Sequence, residues 1–285
     1  FWLRLPLPFQ LDHINLWLLR DGSGWMLVDT GFASDEVRGY WDTVLAALDG
    51  PITRIVCTHF HPDHLGLATW LQEKSRAELW MSSGEFLTAH AVWNEFGGHG
   101  ARFMVEQFRS HGLDGERLGK FATRGSGYRQ AVPALPDFYH RLLDGQSIDI
   151  AGRAWEVLVG YGHSPEHVAL YCRELDVLIS GDMLLPRIST NISVFAATPM
   201  ADALGWFLES LQVMAERFPG NTLVLPSHGL PFTGVASRVA ALLAHHEERC
   251  QALEKACEYA PESAAGLLAT LFPRPLDTHQ TMFAM

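Results

Sequence analysis

The chain has little cysteine: Cys57, Cys172, Cys250 and Cys257 are the four among 285 residues. None forms a CxxC pair, and four make a thin disulfide framework for so long a chain. They read as reduced thiols, and the setting as cytoplasmic. Basic charge is also scarce, with 21 Lys and Arg against 32 Asp and Glu, a net charge of −11 and no basic run. That argues against a nucleic-acid backbone as the main partner, because phosphate binding rests on clustered Lys and Arg. A small anionic substrate stays open, since a local site can differ from the average. No apolar run approaches the roughly 20 residues that a bilayer-crossing helix needs, so no membrane partner is expected. The opening FWLRLPLPFQ is broken by two prolines and makes a poor signal-peptide core. The chain starts without Met and stops inside the helical-looking DTHQTMFAM, so both ends are expected to be trimmed, which is compatible with a lost leader. There is no internal repeat and no low-complexity tract.

Hydrophobic residues make up 48% of the chain and aromatics 11%, enough to bury the core of one large domain with or without a small appendage. INLWLL and WMLVD, separated by DGSG, read as a hairpin. A helix follows, with Ser34 as N-cap, Asp35 and Glu36 in its first turn and Gly50-Pro51 closing it. Val37, Trp41, Val44, Leu45 and Leu48 share one face of it. RIVCT is then a short buried strand, and THFHPDHLG comes directly after.

That stretch packs His59, His61, Asp63 and His64 into six residues. So much polarity in one turn is costly unless something binds there. Three later segments repeat the arrangement: WEVLVGYG ends in His163, DVLISG in Asp182 and TLVLPS in His228. Four apolar strands thus each finish in a small-residue turn and a His or Asp. Functional groups gather at the carboxyl ends of strands in α/β folds, so the four ends can converge on one site. Five imidazoles and two carboxylates suit zinc, or iron or manganese. Seven donors exceed one tetrahedral ion and fit two, with a carboxylate bridging.

Residues 84–145 differ. They carry few strand patterns and many aromatics, among them Phe86, Trp93, Phe96, Phe103, Phe108, Tyr128, Phe138 and Tyr139. They read as a mainly helical insertion, serving either as a cap over a substrate pocket or as extra core or a dimer surface. After His228 the chain turns helical, through SRVAALLAHHEERCQALEKACEYA and PESAAGLLATLF.

THFHPDHLG matches the HxHxDH signature of the metallo-β-lactamase superfamily, which the chain resembles from about residue 10 to 235. VDTG at Val28–Gly31, GHSPEH at Gly162–His167, SGD at Ser180–Asp182 and PSHG at Pro226–Gly229 follow in the family's order. The resemblance implies an α+β fold, a four-layer αβ/βα sandwich with the metals at one edge. Residues 1–244 would form the main domain, carrying the helical insertion. Residues 245–285 would form a small helical appendage, similar to the winged-helix-like end of some superfamily hydrolases. His59, His61 and His163 would bind the first divalent ion, and Asp63, His64 and His228 the second, with Asp182 bridging. Asp29 would support the site from behind. The implied chemistry is attack by a metal-bridging hydroxide on a carbonyl or phosphoryl centre, with Asp63 also orienting the nucleophile or passing a proton.

Departures from the family pattern narrow the reading. Asp182 stands where the best-known zinc β-lactamases have cysteine, and His61 stands where flavodiiron oxygen reductases have Glu. Glyoxalase II-like thiolesterases and lactonases keep all seven ligands, so a thioester or lactone hydrolase is expected, acting on a small molecule, with a homodimer as one arrangement. A single-iron persulfide-dioxygenase-like enzyme, a phosphodiesterase and a non-catalytic binding protein are the alternatives. His167 is expected to sit behind the metals rather than bind one. His245 and His246 are expected on a solvated helix face, and Cys57 in the core. His13, His90, His99, His111, His140 and His279 are not expected as ligands. Asn191, Ser193 and Phe195 either face the pocket or form a plain loop.

Overall fold

The computed structural model describes residues 1–125, 127–218 and 220–285, without the side chain of Arg124. The hairpin expected around DGSG pairs β2 (His13–Asp21) with β3 (Gly24–Val28), and β1 (Trp2–Pro6) joins the other edge of β2. Its two-residue turn uses Gly22 at φ +58°, a left-handed position where glycine has no Cβ penalty. β4 (Ile52–Val56), β5 (Glu78–Met81) and the two-residue β6 (His140–Arg141) then add in parallel. The six strands lie in chain order in one sheet. A second sheet holds β7 (Ser147–Ile150), β8 (Arg153–Gly160), β9 (His167–Cys172), β10 (Val177–Gly181) and β11 (Leu223–Pro226), in the order β11-β10-β9-β8-β7.

The helices are α1 (Asp35–Ala47), α2 (Pro62–Leu65), α3 (Ala68–Ser75), α4 (Ser83–Trp93), α5 (Ala101–Ser110), α6 (Gly115–Arg124), α7 (Tyr128–Ala131), α8 (Ala203–Arg217), α9 (Val235–Ala256), α10 (Ala264–Leu271) and α11 (Thr278–Ala284). α1 starts where the sequence says, with the Ser34 hydroxyl accepting from the Val37 N–H.

Side-chain alternation along the strands builds the layers. Trp17, Met26, Val28 and Val56 of the first sheet face Trp155, Val157, Leu170 and Ile179 of the second, forming the middle of the sandwich. Their neighbours Leu16, Leu27 and Ile55 point the other way, onto Val37 and Trp41 of α1 and Leu71 of α3. In the second sheet, Leu158, Ala169 and Leu178 point outward onto Phe207 and Leu211 of α8 and Val239 and Leu242 of α9. The result is the αβ/βα order of layers. Because both faces of the central strands are covered, every residue of β3 is buried.

The described residues of the insertion are mainly helical, with connecting loops and β6, a strand its aromatic pattern does not announce. The insertion divides its packing. Ala89 of α4 and Tyr128 of α7 join the outer core of the first sheet. Val105 and Phe108 of α5 and Leu118 and Phe121 of α6 make a separate small core with Ala265, Met282 and Met285 near the chain's end. The expected break at residue 245 falls inside α9, which runs unbroken, and the described residues from 245 on form helices and no strand.

Trp41 is fully buried, and its indole N–H donates to the carbonyl of Thr30, 2.9 Å away. Trp41→Ala is expected to lower the unfolding free energy by about 3–5 kcal/mol in urea titrations; a loss below about 1 kcal/mol would contradict this packing.

Candidate metal centre

The site begins where β3 stops. Asp29 turns the chain with φ +61°, a left-handed conformation that Asp tolerates better than most residues. Its carboxylate faces inward, almost wholly buried. Oδ1 accepts from the Thr58 N–H at 2.8 Å, and the Thr58 hydroxyl lies 3.0 Å from both carboxylate oxygens. Oδ2 accepts from His64 Nδ1 at 2.8 Å. Pro62, fixed in φ, opens α2 and puts Asp63 and His64 on its first turn. The N–H and hydroxyl of Thr30 both donate to the His64 carbonyl. The short helix is therefore tied to the end of β3 at two points.

The structure brings all seven candidate ligands together. Their donor atoms fall into three groups, each within 4.8 Å: His59, His61 and His163; His59, His64 and Asp182; and Asp63, His64 and His228. His59 Nε2 lies 2.9 Å from His61 Nδ1 and 3.1 Å from His163 Nε2. Asp182 Oδ2 is 3.5 Å from His163 Nε2, while Oδ1 is 3.3 Å from His228 Nε2 and 3.7 Å from His64 Nε2. Asp63 Oδ2 lies 3.5 Å from His228 Nε2 and 3.6 Å from His64 Nε2. Asp63 keeps 21% of its side chain exposed, against 9% for Asp182. The mouth of the site is therefore on its side.

Hydrogen bonds behind the rings assign their tautomers. His64 Nδ1–H donates to Asp29, and His59 Nδ1–H to the Thr58 hydroxyl at 3.0 Å. His163 Nδ1–H donates to the Asn191 carbonyl at 2.6 Å, and His228 Nδ1–H to the His13 carbonyl at 2.8 Å. Each of these rings has its Nε2 aimed into the site, while His61 offers Nδ1. Lone pairs aimed at one another repel unless a proton or cation lies between them. His64 Nε2 and Asp182 Oδ1 are also buried with no hydrogen-bond partner, a costly state for both atoms. This donor set of nitrogens and carboxylate oxygens fits divalent metal ions.

Charge follows the same division. Burial, joined by the neighbouring imidazoles, holds His59 and His61 well below the ordinary imidazole value, and burial also lowers His163 against the pull of Asp182. Burial disfavours charge on His64 too, but Asp29, Asp63 and Asp182 outweigh it and raise its pKa well above the usual value. His228 is raised in the same way against burial, by Asp182 and Asp63. Burial would raise Asp182, yet His228 and His64 hold it well below the carboxylate range.

His167 lies outside the three groups. Its Nε2 accepts the Asp182 N–H at 3.0 Å and so is turned to the backbone. Gly181, at φ +54°, makes this possible, because a Cβ there would come within 2.4 Å of the His167 ring. Cys57 is buried as expected. His246 is not on a solvated face: it is 9% exposed and lies 3.0 Å from the Ser189 hydroxyl. α9 turns it inward beside Leu242, where it supports the loop behind His163; His245 next to it is exposed. His13, set aside from the sequence, supplies the carbonyl behind His228, and its Nε2 accepts the Gly229 N–H at 2.8 Å. No side-chain pattern could announce a backbone acceptor. Phe195 packs on Phe60, between the ligands His59 and His61. Beyond it, a cavity of about 710 Å³ is lined by Leu87, Ala91, Phe96, His99 and Ala197, along the insertion and the loop after Asp182. Glu85 and Tyr128 of the insertion also reach the ligand loops, which the sequence did not suggest.

A pocket of seven metal-type donors at one edge of an αβ/βα sandwich is the arrangement of a metal-dependent enzyme. The profile of the metallo-beta-lactamase superfamily matches residues 10–228, and that of the metallo-beta-lactamase-like C-terminal domain matches residues 250–285. The chain belongs to this superfamily, and it is a metallo-hydrolase. The probable metallo-hydrolase YqjP of Bacillus subtilis (strain 168) is 24% identical over 286 residues, covering 95% of this chain and 84% of YqjP. A beta-lactamase domain protein from Burkholderia ambifaria superposes with a TM-score of 0.91 at 45% identity, across 99% of this chain and 82% of that one. A metallo-beta-lactamase family protein from Thermus thermophilus gives 0.84 at 31%, across 100% and 91%. No described helix is long and apolar enough to cross a membrane.

A cation entering beside His64 and His228 takes the place of their protons. With raised pKa values these rings hold more proton as pH falls, so metal uptake is expected to release protons and to tighten as pH rises from about 6 to 8. Calorimetry in buffers of different ionisation enthalpy measures the release. Zero release with a flat affinity would contradict it.

Proposed function

We propose that the site holds two divalent cations, zinc by its donor set, and hydrolyses an ester-like carbonyl, a thioester or a lactone. His59, His61 and His163 hold one ion; Asp63, His64 and His228 hold the other. The observation that carries the reading is the reach of Asp182. One of its oxygens lies 3.5 Å from His163 and the other 3.3 Å from His228, so a single carboxylate touches both groups. Imidazole with carboxylate is a donor set for zinc, and also for iron or manganese.

Two such ions supply Lewis acidity and make water acidic enough to furnish hydroxide near neutral pH. The chain does the rest. Asp182 is fixed by the bond from its own N–H to His167, which places its carboxylate between the groups. Asp63, the more exposed carboxylate, stands at the mouth, where it can take a proton from the nucleophile and return it to the leaving group. The cavity along the insertion supports a substrate with an apolar part, since Leu87, Ala91, Phe96 and Ala197 offer it mainly hydrocarbon. The acidic chain and its lack of a basic tract favour a small ester over a nucleic-acid phosphodiester.

A hydrolysis panel on metal-loaded protein, with a chelated control, tests this: a thioester, several lactones, a β-lactam and a phosphodiester. Chelator-sensitive turnover of a thioester or lactone is expected. Asp182→Ala is expected to lower kcat by more than about 100-fold, beyond the ~10–100-fold typical for losing a group that only orients a ligand. Turnover confined to the phosphodiester, oxygen consumption with one iron per chain, or full activity in Asp182→Ala would overturn the reading.

A further inference from the structure

The start of α4 reads SSGE, from Ser82 to Glu85, which is the pattern of a capping box. In such a box the Ser and Glu side chains bond to the helix's own N–H groups. Here neither does: α4 has no side-chain cap, and both side chains reach away from the helix. The Ser82 hydroxyl donates to the Glu166 carbonyl at 2.8 Å. Glu85 is wholly buried. Its Oε2 accepts the Phe60 N–H at 3.0 Å. Its Oε1 accepts the Ser164 hydroxyl at 2.6 Å and the Glu166 N–H at 2.7 Å.

These partners belong to two different loops. Phe60 lies between the ligands His59 and His61, and Ser164 directly follows the ligand His163. Other contacts fix two of these three points, Phe60 and Glu166. The Tyr128 hydroxyl donates to the Phe60 carbonyl at 2.6 Å, so the insertion satisfies both backbone groups of that residue. The Gly84 N–H donates to Glu166 Oε2 at 2.7 Å, and a Cβ at position 84 would meet the Glu166 side chain at 2.8 Å. No Lys or Arg among the described residues pairs with Glu85 within 4.0 Å. Burial pushes its carboxyl up, to about 7, against the pull of its three donors. A buried carboxylate is expensive to keep without a cation beside it. Both of its oxygens are needed as acceptors, which glutamine cannot supply.

We infer that Glu85 is a positioning residue: it ties the loop of His59 and His61 to the loop of His163, and so sets the spacing of the first metal group from inside the insertion. The inference rests on the reading that those three histidines hold a cation. It makes residues 84–145 a strut of the metal centre as well as a wall of the pocket.

The test compares wild type with Glu85→Gln and Ser164→Ala, each loaded with Zn²⁺ or Co²⁺. Affinity is read by chelator competition, ligand geometry by the visible spectrum of the Co²⁺ form, and folding by thermal unfolding. Glu85→Gln keeps the shape but turns an amide N–H₂ toward a donor. It is expected to weaken one of the two cations by about 10–100-fold, the range for groups that orient ligands, and to change the Co²⁺ spectrum. Ser164→Ala removes one of the three donors and covers the case in which Glu85→Gln does not fold; a smaller loss in the same direction is expected. An affinity within twofold of wild type and an unchanged spectrum, in whichever variants fold, would overturn the inference even if the melting temperature fell. A wild type that takes up no cation would overturn it together with the proposed function. Cation binding without ester hydrolysis would sink the reaction alone, and the affinity comparison would still decide the role of Glu85.

Discussion

Everything at the metal centre depends on one buried carboxylate, that of Asp29. Buried charge is tolerable only when hydrogen bonds replace the lost water. Asp29 meets that demand with Thr58 and His64, two residues from the next strand end and its helix. Satisfying the charge therefore folds the ligand loop back over the end of β3. The left-handed turn at Asp29 serves the same contact, since it points the carboxylate inward as the chain leaves the strand. The strain of that turn and the desolvation of the charge are offset by a loop that presents His59 and His64 together.

From there the sandwich acts as a rigid frame. Each ligand stands beyond a strand end, and the strands that lead to them, β4, β8, β10 and β11, pack side chains on both faces. Side-chain rotation is held by bonds to fixed backbone: Asn191 behind His163, and His13 behind His228. α9 extends this support, because Arg238 donates to the carbonyls of Leu185 and Ile188 on the loop that carries the Asn191 acceptor. The site's rings thus keep their direction before any ion arrives. Preorganisation of this kind lowers the reorganisation needed on binding.

Much of this was legible in the sequence, and the reason is periodicity. Strands such as WMLVD and DVLISG show as apolar runs because both their faces are buried, and a His or Asp directly after such a run stands out. HxHxDH is dense enough to be read by itself. What escaped was whatever lacks a side-chain signature. The His13 carbonyl is backbone. His246 sits in a polar run, HHEER, whose exposed members mask the one turned inward. β6 is too short to show any alternation. Glu85 was hidden by its own neighbourhood, because an acid on the first turn after a serine already has an ordinary explanation. Only the packing of the insertion against two distant loops gives it another.

The small core shared by α5, α6 and residues 265–285 has a consequence for synthesis. Val105, Phe108, Leu118 and Phe121 are made early, yet their partners Ala265, Met282 and Met285 are made some 150 residues later. Chains fold in order of emergence at about 5–20 residues per second. The helices that flank the Glu85 and Tyr128 ties thus wait on the ribosome, for roughly 8–30 seconds at that rate, with an apolar face uncovered. The sheets can close before then, but the outer wall of the insertion cannot, so the apolar faces of α5 and α6 stay uncovered until the residues that complete their core have been made.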